Sequence, residues 1–317
     1  MSDPTLRGIF VWHELMTTDV KSAAVFYSKM TGWKAQTSPQ DPSYTLFLSG
    51  KQQVAGLMTL PPDAAAMGAP PSWLVYIGTA DADGTVREAV SLGGKVLKAP
   101  ADIPTVGRFA VLQDPQGAAF AVFTPVPGAQ ATAPPESAYS WHELVTTDYR
   151  AALTFYQRLF GWEQLQAQDM GPAVGLYQMY GWGGKAVGGM FNQPKGMAGP
   201  PSWIPYIRVA DAKRVAATVK TLHGQIVNGP MEVPGGDWIA QGVDLQGAFF
   251  AVHSAKSVAA AKKKPAKAKP PARRAAAKPK RAARAKAKPK KTAKRAAKAA
   301  PRRRAKSKKK TASRKRR

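Results

Sequence analysis

From Ile9 to Thr17 the chain carries a mostly apolar run of strand length, and Asp19 then precedes a stretch in which Val20, Ala23, Ala24, Tyr27 and Met30 recur at helical spacing. Gly32 follows the last turn, where a left-handed residue is wanted. Short apolar runs bounded by turn residues predict strands at Trp33–Thr37, Tyr44–Leu48 and Val54–Leu60. The same order then returns. Trp73–Thr79 reads as a strand and Asp81–Leu92 as a helix stopped by Gly93 and Gly94. Strands follow at Lys95–Lys98, Gly107–Gln113 and Ala118–Thr124, the last two joined by the turn Asp114-Pro115-Gln116-Gly117.

This unit occurs twice. WHELMTTDVKSAAVFYSKMTGW, from Trp12 to Trp33, returns as WHELVTTDYRAALTFYQRLFGW from Trp141 to Trp162, an offset of 129. PPSWLVYIGTAD from Pro70 returns as PPSWIPYIRVAD from Pro200, and DPQGAAFAVF from Asp114 as DLQGAFFAVH from Asp244. Four βαβββ modules are therefore expected, an α+β architecture. The expected organisation is one domain over residues 1–125, a Pro/Ala/Gly-rich linker over 126–137, a second domain over 138–254 and a tail over 255–317.

Charge sharpens that division. Residues 256–317 hold 30 of the 47 Lys and Arg and no Asp or Glu, so the net charge of +28 belongs to the tail and the preceding 255 residues sum to −2. With no aromatic side chain and little apolar surface beyond Ala, the tail is expected to be disordered, because nothing in it offsets the entropy of ordering. Spaced cations on such a chain displace counterions from a phosphate backbone without reading bases. The expected nucleic-acid contacts include Lys262, Lys263, Lys264, Arg273, Arg274, Arg302, Arg303, Arg304, Lys308, Lys309 and Lys310. The competing reading is a solvated arm that adheres to acidic membranes or RNA. The absence of cysteine excludes disulfides, thiolate metal sites and cysteine nucleophiles. Neither a secretory leader nor an 18-residue apolar span is legible, so a cytoplasmic protein, nucleoid-associated through its tail, is expected.

The strand ending in TTD, the following AAVFY, the GW after the helix and the closing DPQGAAFAVF resemble the vicinal oxygen chelate superfamily, which comprises glyoxalase, bleomycin-resistance and extradiol-dioxygenase proteins. The tail resembles those of linker histones and some bacterial nucleoid proteins. The first resemblance implies two tandem domains, each a sheet curled around a cavity with helices outside. It also implies a divalent ion in metal-dependent members, held by His, Gln or Glu at matched strand positions. Here those positions fall on Trp12, Leu74, Ala121 and near Gly56, and in the second copy on Trp141, Ile204, Ala251 and Gly188. None can ligate a metal. No cofactor is expected, and a divalent ion is the disfavoured alternative.

Strand alternation names the cavity residues. If Trp12 faces inward, so do Glu14, Met16, Met58, Leu74, Tyr76 and Phe123, while Val11, His13 and Leu15 face the helix. The second copy would present Trp141, Glu143, Met190, Ile204, Tyr206, Arg208 and His253. Glu14 and Glu143 are the candidate catalytic residues, since a carboxylate among Trp, Met and Tyr should have a raised pKa. The alternative is a structural carboxylate that accepts hydrogen bonds. Trp12, Met58, Tyr76, Trp141, Met190, Tyr206, Arg208 and His253 are the candidate ligand contacts. Arg208 either holds an anionic ligand group or pairs with Glu143. His253 is a cavity group or a rim residue, and the His-Glu neighbours point to opposite faces rather than to one ion. His223 needs no role beyond a helix end.

The expected function is a small-molecule-binding protein of glyoxalase or bleomycin-resistance type, attached to nucleic acid by its tail. A metal-dependent lyase or dioxygenase is one alternative, and an architectural nucleoid-associated protein is another. The ligand, any reaction and the oligomeric state are not legible.

Overall fold

The computed structural model describes residues 6–127, 138–197 and 199–256. The expected linker beyond Pro127, and the tail from 257 onward with its candidate nucleic-acid contacts, lie outside the described residues.

The first copy runs β1 (Phe10–Thr17), α1 (Val20–Thr31), β2 (Lys34–Thr37), β3 (Thr45–Ser49), β4 (Gln52–Thr59), α2 (Pro62–Ala66), β5 (Ser72–Gly78), α3 (Ala82–Ser91), β6 (Lys95–Ile103), β7 (Gly107–Gln113) and β8 (Ala119–Pro125). The second runs β9 (Tyr139–Thr146), α4 (Tyr149–Phe160), β10 (Glu163–Asp169), β11 (Leu176–Trp182), β12 (Lys185–Asn192), β13 (Ser202–Arg208), α5 (Ala212–Thr221), β14 (Gln225–Glu232), β15 (Trp238–Val243) and β16 (Phe249–Ser254). The four βαβββ modules are present, and the short α2 is the addition that periodicity did not announce.

The helix boundaries follow from capping chemistry. Asp19 accepts from the Ser22 amide at 3.0 Å and Gly32 closes α1 at φ 81°. Asp81, Asp148 and Asp211 cap α3, α4 and α5 in the same way. The turn after β7 is held by Asp114, whose Oδ1 accepts from the amides of Gln116, Gly117 and Ala118.

Each copy forms one eight-stranded mixed sheet, ordered β2-β3-β4-β1-β5-β8-β7-β6 in the first and β10-β11-β12-β9-β13-β16-β15-β14 in the second. The helices lie against one face of each sheet, and the two copies pack on one another through that face. One core cluster joins Leu15, Phe26, Tyr27 and Trp73 of the first copy to Val215, Val219 and Phe250 of the second; another joins Val86, Leu112 and Phe120 to Phe155, Tyr156 and Trp203. The opposite face of each sheet carries its own smaller cluster, Leu74, Tyr76 and Ala121 in one and Ile204, Tyr206 and Ala251 in the other.

That second face is the concave side, the hollow, of the sheet. The Gln241 amide on β15 donates to Glu143 on β9 at 3.2 Å, although three strand spacings separate the two strands. In a flat sheet these backbones would stand ~14 Å apart, more than the two side chains span comfortably, so the sheet curls toward this face.

Two corrections to strand parity emerge. A bulge between Phe10 and Trp12 turns Phe10 to the helix side and leaves Val11 in the hollow-side cluster, where simple alternation had placed it beneath the helix. In the second copy Gly189, not Gly188, lies opposite Glu143, because the β10–β11 segment is longer than its counterpart and shifts the register of β12. Met190 therefore pairs with Leu144 and is fully buried in the helix-side core. Phe191 takes the place expected of Met190.

Candidate functional site

Each hollow is built around one carboxylate. On β1, Trp12, Glu14 and Met16 face the hollow, with Met58 opposite Met16 on β4 and Leu74 opposite Glu14 on β5. Tyr44 donates its hydroxyl to Glu14 Oε2 at 2.7 Å and Tyr76 donates to Oε1 at 2.9 Å. The Trp12 indole in turn donates to the Tyr44 hydroxyl at 3.0 Å. The second hollow repeats the design: Trp141 donates to Tyr177 at 2.6 Å, Tyr177 to Glu143 Oε2 at 3.0 Å and Tyr206 to Oε1 at 3.1 Å. Every donor in both networks points toward the carboxylate, so the ionised form is the one they fit.

Burial opposes that preference. Glu143 is 6% exposed, and loss of hydration pushes its pKa up to about 7 against the pull of Tyr177, Tyr206 and Gln241. Burial likewise raises Glu14, opposed by its two tyrosines and by the positive charge of Lys98. The tyrosines themselves are held well above their ordinary range by burial and by the carboxylate they serve.

Two glycines make room for this arrangement. A Cβ at Gly56 would collide with the Tyr44 hydroxyl, and one at Gly189 with the Tyr177 ring. The two glycines of β12 are thus required by rings on opposite faces of the sheet rather than by a turn, Gly189 by Tyr177 in the hollow and Gly188 by Tyr180 and the His142 carbonyl on the helix side.

The outer walls differ. In the second copy Gln241 donates to Glu143 and, at 2.7 Å, to the Tyr206 hydroxyl, while its carbonyl oxygen accepts from Asn228 at 2.9 Å. Val111 and Lys98 hold the matching register positions in the first copy, where the Lys98 ammonium lies 5.4 Å from the Phe109 ring centre.

Of the expected residues, Trp12, Glu14, Met58 and Tyr76 share one hollow, and Trp141, Glu143 and Tyr206 share the other. Arg208 is exposed at the end of β13 and does not pair with Glu143, whose oxygens are engaged by Tyr177, Tyr206 and Gln241. His253 stands opposite it on β16, half-buried, with Nε2 3.0 Å from Asp237 Oδ2. Tyr44, Tyr177, Gln241 and Asn228 were not identified from the sequence. The glycines opposite each glutamate were the available signal, but nothing in the chain says which ring fills the space they leave.

A divalent ion does not fit these donors. Around each glutamate the strands present Trp, Leu or Ile, Ala and Gly, and the phenols are already committed to the carboxylate. No group of three or more His, Cys, Asp or Glu suited to a metal occurs among the described residues. His13 and His142 point to the other face, where their rings meet in the shared core.

Tandem βαβββ modules, paired eight-stranded sheets and a hollow on the face away from the helices define a protein of the vicinal oxygen chelate class. The glyoxalase-like domain family matches residues 12–123. CFP32 of Mycobacterium tuberculosis, a candidate glyoxylase by name, is 33% identical over 252 residues, covering 78% of this chain and 94% of that protein. The anthracycline biosynthesis protein DnrV of Streptomyces peucetius is 34% identical over 262 residues, covering 77% of this chain and 92% of that protein. The manganese-bound glyoxalase of Novosphingobium aromaticivorans shares the fold at a TM-score of 0.54 and 15% identity, over 78% of this chain and 82% of that one. The 2,3-dioxygenase LapB of Pseudomonas sp. KL28 does so at 0.54 and 10%, over 79% and 94%. The chain belongs to the glyoxalase-like family of the vicinal oxygen chelate superfamily. No helix among the described residues is long and apolar enough to cross a membrane.

Proposed function

We propose that this protein binds a small organic molecule, a planar aromatic compound with a hydrogen-bonding substituent, in the hollow of one or both copies. The observation that carries the reading is the buried carboxylate of each hollow, set among half-buried aromatic side chains with tyrosine donors and without a metal's donor set. Such a wall suits a flat ring, and the carboxylate offers one specific polar anchor. A relative whose name places it in anthracycline biosynthesis supports a polycyclic aromatic ligand. Glu143, with its pKa pushed up to about 7, is the group equipped to exchange a proton with that ligand.

Tryptophan fluorescence with 2-naphthol as probe tests the reading. Saturable quenching that falls at least tenfold in affinity in Glu143→Gln or Glu14→Gln supports it. Quenching indifferent to both substitutions contradicts it.

The proposal includes sequence-blind nucleic-acid binding by residues 256–317, supported by their 30 cations and absence of acids. The full chain should retard DNA in a gel at low salt, and residues 1–255 should not. Equal retardation by both contradicts the tail's role.

A further inference from the structure

The two hollows share one register, so their walls can be compared position by position. Val111 pairs with Ala121 in the first copy as Gln241 pairs with Ala251 in the second. One step outward, Gly78 and Phe123 are matched by Arg208 and His253. At these three positions the first wall is apolar and the second polar, while the first hollow has its own cation in Lys98, whose charge is felt by Glu14.

Hydrogen-bond capacity restricts what the second hollow can accept. Both N–H groups of the Gln241 amide are engaged, by Glu143 and by the Tyr206 hydroxyl, so Gln241 has no donor left for a ligand. The Glu143 carboxylate has about four acceptor sites, of which Tyr177, Tyr206 and Gln241 fill three. A ligand group at the inner end must therefore donate to Glu143.

The outer end has the opposite demand. Arg208 is exposed and has no hydrogen-bond or ion-pair partner among the described residues, although its charge is felt by Asp237. Asp237 is itself occupied by His253 and by the Lys256 amide, at 3.0 and 2.8 Å. The buried Nδ1 of His253 has no partner. Glu143 lies opposite Ile204, and Arg208 is four residues further along the same strand, ~13 Å at the rise of a β-strand. Allowing for the reach of both side chains, two or three fused rings span that interval.

Resting on the reading that the hollows hold an aromatic ligand, we propose that the second hollow selects a fused-ring aromatic acid with a hydroxyl at one end and a carboxylate at the other. The hydroxyl donates to Glu143, the ring lies on Trp141 and Phe191, and the carboxylate takes the planar fork of Arg208. The first hollow has Gly78 at the place of Arg208 and so offers no guanidinium fork there.

Calorimetry on the full chain with 6-hydroxy-2-naphthoate and 2-naphthol separates the possibilities. Arg208→Gln, a change at an exposed position, should weaken the hydroxy acid about tenfold and leave 2-naphthol within twofold. Quenching by the hydroxy acid should be reduced in Trp141→Phe and kept in Trp12→Phe. Equal loss for both probes, no loss for either, or quenching confined to Trp12 overturns the selectivity while leaving ligand binding intact. Failure of both probes to bind the parent protein overturns the selectivity and the ligand reading together.

Discussion

His13 Nε2 lies 2.8 Å from His142 Nε2, joining the two copies at the centre of their shared core. The surrounding contacts are reciprocal: His13 stacks on Tyr139 and His142 on Phe10, each pair with ring centres 3.6 Å apart. The bulges at the start of β1 and β9 bring those two aromatic rings to the helix side. Because the His142 ring is also hydrogen-bonded to the backbone of Val187, the network assigns His142 Nε2 as acceptor and His13 Nε2–H as donor. His13 Nδ1 is then a bare lone pair, consistent with its lack of a partner.

Burial lowers both imidazoles, His142 to about 3 and His13 well below its ordinary value. Both are neutral in the folded protein, whereas in the unfolded chain they take up protons below about 6.5. Their contribution to stability is therefore present above pH 6.5 and is lost as pH falls toward 3. Imidazole carbon shifts should stay at neutral values down to pH 5, measured by NMR. Titration of both rings near 6.5 would contradict this assignment.

The same joint carries two longer-range pairs. Tyr27 of the first copy donates to Asp244 of the second at 3.1 Å, and Tyr156 of the second donates to Asp114 of the first at 3.0 Å. The Trp73 and Trp203 indoles donate to those two hydroxyls. Tyr156→Phe leaves the Trp203 N–H and one Asp114 oxygen short of a partner, and should cost about 1–3 kcal/mol in urea unfolding. Affinity for 2-naphthol should not change, since the pair lies on the face away from the hollow.

Glu143 gives the opposite pH dependence to the histidines. Its folded pKa is raised from 4.5 to about 7, so its contribution is most favourable below pH 4.5 and declines as pH rises through 7. Glu143→Gln removes that decline. The stability of the variant relative to the parent should improve by about 3 kcal/mol between pH 4.5 and pH 8, measured by chemical denaturation. A pH-independent difference would mean that Glu143 is ionised at both ends of the range.

Gly189→Ala tests the placement of Tyr177. The added methyl meets the tyrosine ring, which must move off Glu143. A cost of about 1–3 kcal/mol is expected, together with at least a tenfold loss of 2-naphthol affinity. Unaltered affinity would mean that Tyr177 does not hold the carboxylate for the ligand.

Much of this architecture was legible because it is local and repeated. Asp19, Asp148 and the glycines after α1 and α4 announce helix ends by chemistry that needs no distant partner. Alternation placed Trp12, Glu14 and Tyr76 on one face correctly, since β1 and β5 are regular there. It failed at Val11 and Met190, where a bulge and a longer preceding segment each shift parity by one residue. The Asn228–Gln241 arm was invisible because Glu143 and Gln241 are neighbours only once the sheet curls. Alternation puts His13 under the helix, but its direct contact with His142 depends on how the two copies pack.

Native mass spectrometry of the full chain, freshly purified from its own cells, tests the central claim most directly, because one spectrum reads organic and metal adducts together. An organic adduct that is lost in Glu143→Gln or Glu14→Gln is the expected result. About one divalent ion per chain, with no organic mass, would contradict the account.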